Sequence, residues 1–334
     1  MWKAAVIGLG KIGLMYDFEI GRELPSSHVS AYHLHKNFEL VMASDPCEER
    51  KEYLNKIAPE ACYFNDNEKG LQYAQADIVS ICTPPNFHLS TIRKVYSLKK
   101  IPAVIFCEKP LANSLKDADD ILHLCEKYPQ VTLVPNISRR WSNGLNRVTN
   151  VLKSGKYGRL KSIHIRYTRG IYNTGAHMFD LLNMWTNSKI SEVHVLKKVH
   201  TTSENEGESS YSFFFEQNDG VWGYAEAMDD EHYYMFEIDM YLTGGKIEMR
   251  FSGDEILYYA TDAHHLFTGY QELHLTKKDE HILSEPLLMN AIDNLAGVLL
   301  GTSEPACRLE DAIYPIKVAV ALEKSFANGT KEHV

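Results

Sequence analysis

No apolar run in this 334-residue sequence approaches the roughly 20 residues needed to span a bilayer, so no membrane span is expected. There is no basic block either: 35 lysines and arginines stand against 44 aspartates and glutamates, a formal net charge of −9. That balance argues against nucleic acid and anionic membrane as main partners. No C-x-x-C pair occurs among Cys47, Cys62, Cys82, Cys107, Cys125 and Cys307, and several of these lie in apolar runs, as buried thiols do. Such usage fits a reducing cytoplasm, without disulfides or a cysteine-bound metal. The fifteen histidines are dispersed, His264-His265 falls in an expected loop, and no metal site is read from them. Repeats and low-complexity tracts are absent. A signal peptide is not expected, because "MWKAAVIGLG" runs straight into a strand and a glycine turn.

What is present is enough apolar sequence, 44% of the chain, for two domains or one large one. The first third alternates short β-branched runs ("AAVIG", "FELVMASD", "DIVSICTPP", "AVIFCEKP", "VTLVPN") with helix-like stretches such as "CEERKEYLNKIA" and "SLKDADDILHLCEKY". Strand-helix alternation predicts βαβ units and a doubly wound parallel sheet covered on both faces. After "RLKSIHIRYTRG" the strands lengthen and become aromatic: "EVHVLKKVHTT", "SSYSFFFEQ", "GVWGYAEAMD", "YYMFEIDMYLTGG", "KIEMRFSG" and "EILYYAT". Asp219-Gly220 and Gly244-Gly245 stand at hairpin positions. The last stretch returns to helix. The fold class is α/β: an N-terminal Rossmann domain, then an α+β domain with an open, mostly antiparallel sheet. The division is drawn as 1–120 and 121–334, with the change of character spread over residues 120 to 145. The C-terminal helix is expected to return to the first domain.

"AVIGLGKIG" places Gly8, Gly10 and Gly13 in G-x-G-x-x-G spacing directly after the first strand. Gly8 permits a tight turn, Gly10 admits a pyrophosphate to the backbone, and Gly13 allows close packing of helix on strand. Lys11 and Ile12, between them, belong to the helix N-terminus whose N–H groups would face the phosphates. Asp45, at the end of the second strand, can accept hydrogen bonds from both ribose hydroxyls and repel a 2′-phosphate, favouring NAD over NADP. It lies 32 residues past Gly13, further than the usual 20 or so. "MYDFEIGRELPSSH" accounts for the excess as an insertion or a distorted first helix near the cofactor; His28 could face the site, but a surface loop is the expectation. In "TPPNFH", Pro84 and Pro85 make a rigid turn at a strand's carboxyl end. Thr83 and Asn86 are placed to meet the nicotinamide ribose and amide, and His88 begins the next helix. "AVIFCEKPLAN" then delivers Glu108 and Lys109 at the end of a buried strand, beside the nicotinamide position.

In "RGIYNTGAHMFDLLNMW", spacings of four and three put Asn173, His177 and Asp180 along one helical face. Taken alone, the pattern is the ordinary one of an N-terminal cap followed by a satisfied core histidine. Arg139, Arg140, Trp141, Arg166, Arg169 and Tyr172 are candidate substrate contacts, and their arginines suit a phosphate or carboxylate.

In their order, "GLGKIG", "TPPNFH", "CEKPLA", "SRRW" and "NTGAHMFD" strongly resemble the glucose–fructose oxidoreductase / inositol dehydrogenase (Gfo/Idh/MocA) family, over nearly the whole chain. The resemblance implies a bound nicotinamide dinucleotide, a sugar or cyclitol substrate, and dimer or tetramer contacts through the open sheet. It implies that Lys109 touches substrate hydroxyl and nicotinamide ribose, commonly beside a cis peptide at Pro110, and that His177 is the catalytic histidine. Many members have aspartate where this chain has Asn173, and a glycine-rich loop before the histidine is missing here. Asparagine at that place resembles the branch that oxidises nucleotide sugars. With a nicotinamide inferred, His177 acquires a proton to accept, Lys109 an alkoxide to stabilise, and Asn173 a hydroxyl to hold. Asp180 either orients the imidazole or binds substrate. An NAD-dependent dehydrogenase of a sugar, sugar phosphate or nucleotide sugar is expected; the alternatives are a glycosidase using NAD transiently and a non-catalytic dinucleotide-binding regulator.

Overall fold

A computed structural model describes residues 1–22, 24–200 and 208–334, and the chain forms two compact units. Two residues of the strand-like "EVHVLKKVHTT", Thr201 and Thr202, and Glu23 of the expected insertion lie outside the described residues.

The first unit comprises Met1–Trp141 and Pro286–Ile313. Its strands are β1 (Trp2–Ile7), β2 (Phe38–Ser44), β3 (Cys62–Phe64), β4 (Ile78–Ile81), β5 (Val104–Glu108) and β6 (Thr132–Asn136). They pair in parallel in the order β3-β2-β1-β4-β5-β6, the doubly wound order with its switch point between β1 and β4. Ala4 to Ile7, Ile78, Val79, Ile81 and Ile105 to Cys107 are fully buried, as strands covered on both faces must be. The helices are α1 (His28–Leu34), α2 (Arg50–Ile57), α3 (Asn67–Ala74), α4 (His88–Tyr96) and α5 (Leu115–Lys127). Side-chain caps fix several of their starts: Ser114 accepts from the Asp117 amide at 3.1 Å, and Asp66 from those of Glu68 and Lys69. Because β6 completes this sheet, the unit runs to Trp141, past residue 120 but inside the 120–145 span given to the change of character.

The second unit comprises Ser142–Glu285 and Tyr314–Val334. It contains α6 (Asn143–Lys153), β7 (Leu160–Tyr167), α7 (Gly175–Thr186), β8 (Ile190–Val199), β9 (Ser210–Gln217), β10 (Trp222–Ala227), β11 (Phe236–Leu242), β12 (Gly245–Arg250), β13 (Glu255–Ala263) and β14 (Gln271–Asp279). Next come α8 (Leu287–Leu300), which clusters with the first unit, α9 (Leu309–Asn328), whose first five residues do so too, and β15 (Glu332–His333). The nine-stranded sheet runs β14-β13-β12-β11-β7-β10-β9-β8-β15, and only β7 and β10 pair in parallel. One face is apolar: Ile163, Ile165, Phe213, Ala225, Ile238 and Ile247 join Leu145, Phe179, Trp185 and Val318 in one core. Each large side chain in it contributes roughly 1.5–3 kcal/mol of burial.

Candidate functional site

Residues at the carboxyl ends of β1, β2, β4, β5 and β6 line a cleft of about 880 Å³, within the range of small-molecule sites. The glycine turn forms one side. Gly8 has φ +91°, and a Cβ there would stand 2.7 Å from the Cys82 carbonyl. Gly13 would carry a Cβ 2.0 Å from the Gly8 oxygen, so its bareness lets the turn close on itself. Gly10 differs: nothing lies within 4 Å of its Cβ position, and that empty side belongs to the cleft. Lys11, Ile12, Asp45, Thr83, Pro84, Glu108 and Lys109 line it too. Asp45 accepts the amides of Leu9 at 2.7 Å and Cys47 at 2.9 Å, which locks its carboxylate beside the turn. Thr83 Oγ1 is buried without a hydrogen-bond partner, a condition that a polar ligand in the cleft would relieve. The donors, the carboxylate and the bare turn fit a dinucleotide. The peptide joining Lys109 to Pro110 is cis.

Asn86, expected at the nicotinamide amide, does not line this cleft, and neither do Gly13 and His88. Gly13 is under the turn and Asn86 is exposed. His88 is fully buried behind the diproline turn, its Nε2 2.8 Å from the Thr83 carbonyl and Nδ1 3.3 Å from that of Leu111. Burial pushes its pKa below the usual 6.5, so the ring favours the neutral form, whose single N–H can donate to one of the two carbonyls, the Thr83 oxygen being the nearer.

No helix springs from the glycine turn as expected. The amides of Leu14 and Met15 bond to the Gly10 carbonyl, and a 3₁₀ turn follows over Met15–Phe18. The helix proper, α1, begins at His28. Its first amides nevertheless complete the abandoned ladder: His28 N–H donates to the Ile12 carbonyl at 3.0 Å and Val29 N–H to that of Gly13 at 3.1 Å. An unbroken helix would use residues 16 and 17 there. The chain therefore makes a twelve-residue excursion and resumes the same helix. Removing those twelve residues brings Asp45 from 32 to 20 residues past Gly13, the usual interval of about 20. Tyr16, on the excursion, lines the cleft.

His28 is not a surface residue. It is fully buried, with Nδ1 3.0 Å from Ser80 Oγ and Nε2 2.8 Å from Glu108 Oε1. Tyr32 OH meets the same serine at 2.9 Å. Asn136 Nδ2 donates to Glu108 Oε1 at 2.6 Å, and Trp141 Nε1 donates to Asn136 Oδ1 at 2.7 Å. A continuous buried network thus fixes Glu108, the residue preceding Lys109. Sequence reasoning missed His28, Tyr32, Ser80 and Asn136 as its members. The one available signal was a histidine at the start of a helix packed on the sheet. Trp141, expected at the substrate, serves this network, while Arg140 is held by Asp311 at 2.9 Å and the Ala306 carbonyl at 3.2 Å. Arg139 is half-buried, and of its short helix only Ser138 lines the cleft.

In the second unit the helical run begins earlier than α7, with a π turn over Gly170–Thr174. Arg169 precedes it in the left-handed region at φ 67°, its guanidinium 5.8 Å above the Tyr234 ring. The entry is pinned to the start of β9: Gly170 N–H donates to Ser210 Oγ at 2.9 Å, and Asn173 N–H to Glu208. Asn173 and Tyr172 are half-buried, His177 is 8% exposed, and Asp180 is fully buried. Burial raises the Tyr172 phenol, with Glu323 adding to the shift, so it stays protonated. Wide turns of this kind are rare and occur frequently at functional sites. Arg166 is engaged on the sheet by Glu237 at 3.1 Å and Asp239 at 3.2 Å.

Residues 2–135 match the model of the GFO_IDH_MocA family, described as an oxidoreductase family with an NAD-binding Rossmann fold. The myo-inositol 2-dehydrogenase of Thermotoga maritima is 24% identical over 206 residues, which cover 57% of this chain and 57% of that protein. The chain thus spans little more than half the length of that relative. Two solved structures share the fold over 99% of the chain. An oxidoreductase from Agrobacterium radiobacter, in complex with NAD+, L-tartaric acid and magnesium, has a TM-score of 0.78 at 16% identity and is covered over 98% of its length. The transcriptional regulator Gal80p from Kluyveromyces lactis has a TM-score of 0.74 at 13% identity and is covered over 91%. Among the described residues no helix is long and apolar enough to cross a membrane.

Proposed function

We propose that this chain, whose residues 2–135 match the Gfo/Idh/MocA oxidoreductase model, is a member of that family and an NAD-dependent dehydrogenase of a secondary alcohol on a sugar or sugar derivative. The observation that carries the reading is the cleft itself. It offers an open Gly10 on one side, the Asp45 carboxylate beside it, the unsatisfied Thr83 hydroxyl, and Lys109 on a buried, braced strand end. Gly8, Gly10, Lys11 and Ile12 would hold the pyrophosphate along the turn, and Asp45 would accept the adenosine-ribose hydroxyls, favouring NAD over NADP. The chemistry that a bound nicotinamide would supply is acceptance of the hydride. Lys109 lowers the energy of the alkoxide as a positive donor, and the His28–Glu108–Asn136 network holds the strand end from which it projects. His177 takes the hydroxyl proton, a role suited to imidazole near neutral pH. Asn173 holds a neighbouring hydroxyl through its amide, and Asp180 supports the same helix face. Arg169 and Tyr172, at the entry to that helix, are assigned to an anionic group of the substrate.

The known relatives support the substrate class: the Thermotoga maritima protein is named for an inositol, a polyol with ring hydroxyls. The self-association that goes with the reading uses the outer sheet face, where the half-exposed Phe214 and Trp222 project. The test is turnover with NAD across a panel of polyols, sugar phosphates and nucleotide sugars. Net NADH formation that follows a ring hydroxyl supports the dehydrogenase. Sugar release without net NADH would replace it with transient oxidation, and NAD binding without any turnover would leave a regulator.

A further inference from the structure

The β13–β14 hairpin plays no part in that reading. Strand alternation puts Glu272 and His274 on one face of β14. The connecting turn, with Gly269 at φ +87°, brings His264 and His265 back over the same carboxylate. His265 Nδ1 is 2.7 Å from Glu272 Oε2, His264 Nε2 is 3.6 Å from that oxygen, and His274 Nε2 is 3.0 Å from Oε1. One ligand atom from each of His264, His265 and Glu272 lies within 4.8 Å of the others. Among the described residues, every ion pair of Glu272 is with a histidine, so no lysine or arginine occupies the position a cation would take.

We propose that this cluster binds a divalent transition metal of the zinc class. Neutral imidazole nitrogen and carboxylate oxygen are the ligands such an ion selects over magnesium or calcium. Ligand atoms about 2.1 Å from a tetrahedral ion stand roughly 3.4 Å apart, and the two contacts to Oε2 lie on either side of that spacing. His265 and Glu272 form the primary pair, and His274 stands at the other carboxylate oxygen. His264 joins at a cost, because its Nδ1 accepts the amides of Leu266 and Phe267 at 3.1 and 3.2 Å, which keeps the proton on Nε2. A metal at Nε2 moves that proton to Nδ1 and opens the turn. Uptake therefore couples to the 266–267 backbone. The ion would pin β14, an edge strand whose side chains are nearly all exposed, to the end of β13. The alternative is a carboxylate that simply receives three imidazole N–H groups.

Calorimetric titration of zinc into the full chain, stripped with chelator, separates the two. One equivalent should bind, and H265A/E272Q should lose at least about tenfold in affinity. Zinc should slow amide exchange over residues 271–274 of the parent chain, quicken it at Leu266 and Phe267, whose bonds to His264 Nδ1 it breaks, and change neither in the double variant. The parent and the variant should melt alike in chelator, since both positions are on the surface of the hairpin. Absence of a one-equivalent event, or equal affinity in the double variant, would overturn the site. An ion held by the partly exposed thiols would give that second result. Neither outcome touches the dehydrogenase reading, which rests on the other unit's cleft.

Discussion

Gly10 and Gly13 are three residues apart in one turn, and the structure gives alanine at the two positions opposite consequences. At Gly13 the added carbon falls 2.0 Å from the Gly8 oxygen and 3.0 Å from its carbonyl carbon, both backbone atoms that cannot rotate aside. Relief requires the turn to move by about an ångström, and overpacking of this kind costs roughly 1–3 kcal/mol. The same movement strains the bonds by which α1 resumes the ladder, His28 to Ile12 and Val29 to Gly13. Each is worth about 0.5–1.5 kcal/mol, so Gly13→Ala should lose about 2–6 kcal/mol in all. At Gly10 nothing lies within 4 Å and φ is not positive, so Gly10→Ala should be neutral or slightly stabilising, by up to about 1 kcal/mol. Its methyl nevertheless projects into the cleft where the pyrophosphate is placed, and NAD affinity should fall at least about tenfold. Urea unfolding and calorimetric titration with NAD read the two effects separately. A Gly10→Ala variant that binds NAD as tightly as the parent would refute the placement of the pyrophosphate against this turn. A Gly13→Ala variant of parental stability would refute the packing argument.

Lys109→Ala and His177→Ala should each lower kcat at least about a hundredfold with NAD affinity nearly unchanged, and near-parental steady-state rates in either would remove that residue from the mechanism. Asp45→Ala should weaken NAD and narrow the preference over NADP, measured as the ratio of the two Kd values; an unchanged ratio would refute its role. Because His88 is buried neutral, its folded pKa lies below the ordinary 6.5 and the unfolded chain binds the extra proton first. Stability should therefore be fully present above about pH 6.5 and decline as pH falls toward the folded value. Unfolding free energies at several pH values should show a shallower acid decline in His88→Asn, and parallel curves would refute the assignment.

The first sheet was legible because its strands are buried on both faces and read as unbroken apolar runs ending in turn residues. β3 escaped notice since Cys62–Phe64 is too short to carry a period. β14 escaped for the opposite reason: nearly every side chain in "QELHLTKKD" is exposed, so no face alternates, and pairing with β13 alone makes it a strand. The histidine cluster on that hairpin was hidden with it. The glycine turn and Lys109 were legible because their chemistry is local. His28 was not, since its partner Glu108 is 80 residues away and only the sheet brings them together.

The excursion is where local signals pointed furthest from the outcome, and Asp17 decides whether it is a built element or a loose loop. Gly21 and Pro25 do interrupt the helix, but the excursion is closed at its base. The Asp17 carboxylate accepts the Ser26 amide at 2.9 Å, the Ser30 hydroxyl at 2.8 Å and the Ser27 hydroxyl in a shorter contact. Ser27 and Ser30 form the capping box that starts α1, so one carboxylate ties the outgoing strand of the excursion to the cap of the helix it rejoins. Bonds to a charged acceptor contribute about 1.5–3 kcal/mol each, and three sharing one group add less than their sum, so Asp17→Ala should cost about 2–4 kcal/mol. The effect should be local before it is global. Amide exchange should accelerate over residues 14–30 while β4 and β5 stay protected. Tyr16 loses its neighbour's anchor and the cleft loses a defined wall, so NAD should bind more weakly although Asp17 does not itself line the cleft. Asp17→Asn, which can still accept, should recover part of both losses. Exchange that accelerates evenly across the sheet, or not at all, would mean that the excursion is held by something other than this carboxylate.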